Sequence, residues 1–193
     1  MHKKIVYLGF HKCGTTSFYK FLGSHGLKGI HNTLQVCDNI GLAPKLTVEA
    51  DLLSCIDAAR LSNFIDGYKV LTDNPFPFLY RHFDKSPGKF LFVLGTRPTD
   101  QWISSMQRYF GNRMPALGHA IYKCDGNACS NPRAFCETYD KHNATVREYF
   151  KRREDFIEIR LGVESNASIT ERLVDFLELP KDTDIEFGIC RPN

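Results

Sequence analysis

The segment with the clearest chemical meaning is Gly9-Phe10-His11-Lys12-Cys13-Gly14-Thr15-Thr16-Ser17. It follows a short apolar run, Ile5 to Phe10, and precedes Thr15 to Leu22, where Phe18, Phe21 and Leu22 recur at helical spacing. Glycines let the backbone turn tightly and offer converging N–H groups, and the next helix presents its positive end. Thr and Ser hydroxyls add further donors. Such a loop is built to hold phosphate.

A nucleotide kinase would carry Gly-x-x-x-x-Gly-Lys-Ser/Thr. Here Thr15 stands after the second glycine and the lysine lies inside the loop as Lys12. That shift suits a terminal phosphate acting as leaving group better than a Mg-nucleoside triphosphate.

At these residues the chain resembles the sulfotransferases that use 3'-phosphoadenosine 5'-phosphosulfate (PAPS). Their Lys-x-Gly-Thr-Thr-Ser loop holds the 5'-phosphosulfate of the donor, and Lys12, Gly14, Thr15, Thr16 and Ser17 match it, with Cys13 at the variable position. The second signature of that family is an arginine ending a central strand and a serine eight positions later, together gripping the 3'-phosphate. Arg97 and Ser105 have that spacing, with Trp102 between them, and the usual Arg-Asp-Pro is here Arg97-Pro98-Thr99. The likeness is specific over residues 4–22 and 68–105, and looser over 139–161 and the last helix.

The resemblance implies a P-loop nucleoside triphosphate hydrolase-like fold: an α/β three-layer sandwich with a mostly parallel central sheet. It also implies an in-line, metal-independent transfer of a sulfuryl group to a hydroxyl of a carbohydrate or small-molecule acceptor, leaving adenosine 3',5'-bisphosphate (PAP). Lys12 would neutralise charge on the leaving oxygen. The acceptor proton needs a base, which relatives place near the end of the strand before the arginine strand. Asp73 closes Lys69-Val70-Leu71-Thr72 there, with His11 in the loop as its rival. Asp73 could otherwise cap the helix after Pro75, and Arg97 could pair with Asp100. Arg160 and Arg191 are further candidates for the 3'-phosphate, or partners of acids. Two other readings stay open: an atypical nucleotide kinase, and a PAP-binding module without catalysis.

The elements that must position these groups alternate along the chain. Strand patterns run over 27–31, 67–73, 89–95 and 156–161. Helix patterns run over 48–65, 76–83, 99–110, 134–153 and 169–177, the last with a capping box from Ser168 to Glu171. Strands interleaved with helices imply a largely parallel sheet covered on both faces. Residues 111–132 read as the longest irregular stretch and as an acceptor-site lid.

Composition bounds the rest. The 193 residues fit one domain, 42% apolar and 24% charged, as in folded globular chains. A net charge of +3 argues against a nucleic-acid or membrane surface, and Lys151-Arg152-Arg153 reads as a solvated helix end. No apolar run approaches a membrane span, and Met1 to Leu8 lacks a signal-peptide pattern, so the chain reads as cytoplasmic. Seven cysteines without C-x-x-C spacing suit reduced thiols. His119, Cys124, Cys129 and Cys136 lack zinc-knuckle spacing, so no metal is expected. A Cys124–Cys129 disulfide is the other alternative.

Overall fold

In the computed structural model, which describes residues 3–181 and 185–188, five strands form one sheet. They are β1 (Lys4–Tyr7), β2 (Gly29–His31), β3 (Val70–Thr72), β4 (Phe90–Thr96) and β5 (Phe156–Arg160), in the order β2-β3-β1-β4-β5. Every pairing is parallel: Val6 lies beside Leu71 on one side and Phe92 on the other. All seven residues of β4 are buried, as expected of a central strand covered on both faces. The α/β sandwich expected from the sequence is therefore present.

The connecting helices are α1 (Thr15–Ser24), α2 (Thr33–Ile40), α3 (Ala58–Asp66), α4 (Tyr80–Lys85), α5 (Thr99–Phe110), α6 (Gly118–Tyr122), α7 (Pro132–Tyr149) and α8 (Asn166–Leu177), with a 3₁₀ turn at Phe76–Phe78. Among the described residues, no helix is long and apolar enough to cross a membrane. Because all strands run the same way, the residues that follow them gather at one edge: the loop after β1, Asp73 after β3 and Arg97 after β4. The chain order reverses around β1, so the loop after β1 lies at the topological switch, where open sheets leave a crevice for ligands.

Several local expectations are corrected. The helix expected over 48–65 begins only at Ala58, because the Asp57 carboxylate accepts the N–H groups of Ala59 and Arg60 and starts it there. The α2 helix was not expected, although Asn32 caps it, Gly41 ends it at φ 69°, and Val36, Cys37 and Ile40 form its buried stripe. Residues 111–132 are not irregular throughout. They include α6, whose Tyr122 stacks on Phe135 at 3.7 Å, and Leu117 N–H donates to the Pro44 carbonyl at 2.8 Å. The α8 cap is Ser165, which accepts from Ser168 N–H, one turn earlier than the box at Ser168.

Arg153 is not a solvated helix end. The α7 helix stops at Tyr149, and Arg153 reaches Asp84 and Asp155, each at 2.6 Å, while Tyr149 donates to Asp84. This network ties α4 and α7 to the start of β5, at the edge away from the phosphate loop.

Near the loop, His142 packs against Phe10 and Phe78 and its Nε2–H donates to the Leu8 carbonyl at 2.9 Å. Burial pushes its pKa down to about 4. An unfolded histidine protonates near pH ~6.5, so between that pH and about 4 the unfolded chain holds more protons and native stability falls with pH. The urea midpoint should therefore drop between pH 7 and pH 5, and drop less in His142→Gln. Equal slopes in the two proteins would contradict this.

Candidate active site

The loop after β1, residues 9–17, is held on several sides by buried aromatic residues. Tyr7 hydroxyl donates to the Cys13 carbonyl, Trp102 Nε1–H donates to the His11 carbonyl at 2.9 Å, and Cys13 Sγ donates to the Tyr139 hydroxyl at 3.4 Å. Trp102 in turn stacks on Tyr139 at 4.1 Å with the ring planes almost parallel. These aromatic anchors are fully buried, so the loop's path is set by the core. Burial pushes the Cys13 thiol up to about 12, which marks it as a packing and donor group rather than a nucleophile.

Two residues of the loop are left-handed, Lys12 at φ 65° and Gly14 at φ 78°. A Cβ at Gly14 would also lie 2.9 Å from the Leu161 side chain. Gly14 starts α1 with no side-chain cap, so the positive end of that helix faces the loop undimmed. Below it, Gly9 and Gly95 approach backbone to backbone. A Cβ on Gly95 would fall 1.6 Å from the Tyr7 hydroxyl. Gly95→Ala should displace Tyr7 and destabilise the protein by about 1–3 kcal/mol, read as a lower urea midpoint; an unchanged midpoint would refute this packing account.

Two cations stand beside the loop without a carboxylate among the described residues. Lys12 Nζ lies 3.8 Å over the half-exposed Tyr109 ring, and its pKa is lowered by burial and by the nearby Arg97 charge. The Arg97 main chain is clamped by the Tyr139 hydroxyl, which accepts from its N–H and donates to its carbonyl, both at 3.0 Å. Its Nη1 donates to the Lys12 carbonyl at 3.4 Å, while its buried Nε has no partner among the described residues. The ion pair with Asp100 is not formed. An unpaired guanidinium N–H held inside a protein is costly unless a ligand accepts from it.

On α5, Ser104 is exposed and donates back to the Asp100 carbonyl at 2.7 Å. Ser105 is half-buried and its hydroxyl has no partner among the described residues.

Asp73 follows β3 at φ 75° with its side chain only 12% exposed. It does not cap the turn at Phe76–Phe78; its Oδ1 accepts Asn74 N–H at 3.0 Å and lies 3.1 Å from His11 Nε2. Burial alone would raise its pKa, but the His11 ring, the His31 ring and the Asn74 N–H outweigh burial and hold the carboxyl well below the usual range. The Asn74 amide nitrogen is nearly equidistant from the His11 nitrogens, 3.3 and 3.5 Å, so it sits between them rather than along one lone pair. Phe110 packs edge-on to the His11 ring at 5.6 Å.

His31 is the site residue that the sequence reading missed. It ends β2, beside β3, and its ring bridges Thr16 on α1, 2.9 Å from Nε2, and Thr72 on β3, 3.2 Å from Nδ1. Its position one residue before the Asn32 cap was the available signal.

The chain matches the family model described as a sulfotransferase domain over residues 4–188. The protein belongs to the sulfotransferase family. No curated protein matches the chain. The match spans the loop after β1, Asp73 and the strand that ends before Arg97.

The remaining candidates divide. Thr15 and Ser17 are buried at the start of α1, and Thr16 is exposed there. Arg160 ends β5 and pairs with Glu164 at 3.1 Å, the acid-partner alternative. Arg191 and Cys190 lie outside the described residues. The six described cysteines are free, including Cys124 and Cys129, whose thiols donate to the Gly126 and Gly111 carbonyls.

Proposed function

We propose that this sulfotransferase takes PAPS as donor and transfers its sulfuryl group to a hydroxyl of a carbohydrate or small-molecule acceptor, releasing PAP. The observation that carries the reading is the pair Lys12 and Arg97. Among the described residues both cations lack a carboxylate partner, one lies in a loop at an uncapped helix start, and the other keeps a buried N–H without an acceptor. Two separate anion sites select a bisphosphorylated adenosine over ATP.

The 5'-phosphosulfate rests on the Lys12 to Ser17 loop, with Gly14, Thr15, Thr16 and Ser17 offering N–H and hydroxyl donors. Arg97 and Ser105 take the 3'-phosphate, the guanidinium giving a fixed fork of donors. Lys12 moves from the Tyr109 ring to the leaving oxygen, where positive charge is needed as the S–O bond breaks. With Lys12, Arg97 and the helix end in place, the transfer proceeds without a metal.

The acceptor proton goes to the Asp73–His11 pair. A carboxyl held so far below its usual range is a weak base, so Asp73 orients the ring through Nε2 and stabilises the imidazolium, while Nδ1 accepts the proton. Tyr109 and Phe110, 4.9 Å apart, give the acceptor a wall of ring faces. Residues 111–132 form the cover of that side within a single domain.

Ser105→Ala should weaken PAP binding by about tenfold, the loss of a hydrogen bond to a charged group, while Ser104→Ala leaves it unchanged. Equal effects of the two changes on a PAP titration would reverse the assignment. The reading as a whole is tested by thermal unfolding with PAP and with ATP-Mg. PAP should raise the midpoint and ATP-Mg should not; stabilisation by ATP-Mg alone would instead favour a kinase.

A further inference from the structure

The hydrogen bonds around His31 fix the direction of every proton in the chain that ends at Thr16. The Thr72 hydroxyl donates its single proton to the Ile30 carbonyl at 2.8 Å, so toward His31 it can only accept. His31 Nδ1, 3.2 Å away, therefore carries the hydrogen. In a neutral ring Nε2 is then a bare lone pair, and the Thr16 hydroxyl, 2.9 Å from it, must donate to it. Thr16 thus turns only lone pairs toward the phosphate loop, the wrong polarity for an anion.

We infer that His31 is a positioning residue that takes up a proton when the donor binds, reversing the Thr16 hydroxyl so that it donates to the donor's phosphate oxygen. The proton comes from solvent and adds to Nε2. Nε2–H then donates to Thr16 Oγ1, and the Thr16 proton swings from His31 to the anion. No covalent bond between heavy atoms forms or breaks, and the proton returns to solvent when PAP leaves.

The groups facing the ring suit this switch. Burial holds its pKa down, while Asp73 Oδ2, 4.0 Å from Nδ1, favours the charged form and the His11 ring opposes it. From α1, Tyr19 stacks on the ring at 5.5 Å, a face that also accommodates a cation. The ring is therefore neutral without ligand, and an arriving anion tips the balance. The lock is selective, since a ligand without an anion at Thr16 gains nothing from the reversal.

The inference rests on the donor reading above, and PAP calorimetry in two buffers of different ionisation enthalpy separates the two. Wild type should take up a proton on binding PAP, up to about one per site, and PAP affinity should fall as pH rises. The phosphates of PAP titrate as well, near pH ~6, but equally in every variant. Thr16→Val keeps His31 and the anion yet breaks the relay, so its uptake should fall below wild type. His31→Gln supplies a permanent N–H to Thr16 and should bind PAP with the pH dependence flattened. Uptake in Thr16→Val and His31→Gln equal to that of wild type would overturn the relay, as would binding by wild type with no proton uptake. PAP that does not bind at all would overturn the donor reading and the relay with it.

Discussion

Asp73→Asn is expected to lower turnover by about two to four orders of magnitude while PAP still binds. The asparagine fits the same space and still accepts Asn74 N–H, but it brings no charge to balance an imidazolium at His11, 3.1 Å away. The barrier therefore rises only where the proton moves. His11→Ala should cost a similar factor, and the double change little more, because the two groups act as one unit. Steady-state rates with saturating PAPS and a PAP titration on the same preparations check this. Turnover within a few-fold of wild type in Asp73→Asn would remove the pair from the mechanism.

Lys12→Met should reduce turnover by about 10² to 10³, the scale seen when one preorganised charge or donor at a developing anion is removed. Lys12 holds a left-handed backbone, and its ammonium rests on the Tyr109 ring with no carboxylate beside it among the described residues. Moving to the leaving oxygen thus breaks no ion pair. Lys12→Arg should restore little, because a planar guanidinium is larger and cannot serve as a compact point charge. A variant that loses PAP affinity but keeps turnover at saturation would show that Lys12 only binds the donor.

The parts of the site that are local in sequence were legible from the chain itself. The glycines, Lys12 and the Thr-Thr-Ser helix start lie within nine residues, and the apolar runs on either side place them between β1 and α1. Asp73 and Arg97 could be read as strand ends, since buried parallel strands show as short apolar runs. What could not be read is lateral order. Nothing in Gly29-Ile30-His31 says that β2 lies beside β3, and only that pairing brings His31 to Thr72. Likewise Asp73 and His11 are 62 residues apart, and their contact exists because β3 and β1 are neighbours. Arg153 followed the same logic: a cation at the end of a helix pattern gave no sign of Asp84, 69 residues away in sequence on the neighbouring helix α4.

Helix ends were misread where a polar side chain won over periodicity. Asp57 and Ser165 each take main-chain N–H groups and so start α3 late and α8 early. Residues 111–132 hid α6 because a five-residue helix shows no full apolar period.

The most direct test of the central claim follows sulfur-labelled PAPS offered to the protein with a panel of sugars, small alcohols and phenols, in chelator and without added metal. Label should appear in an acceptor in step with PAP release, and both should fall by about two orders of magnitude or more in Lys12→Met and Asp73→Asn. PAPS that keeps its label with every acceptor, while ATP-Mg supports phosphoryl transfer, would contradict the claim.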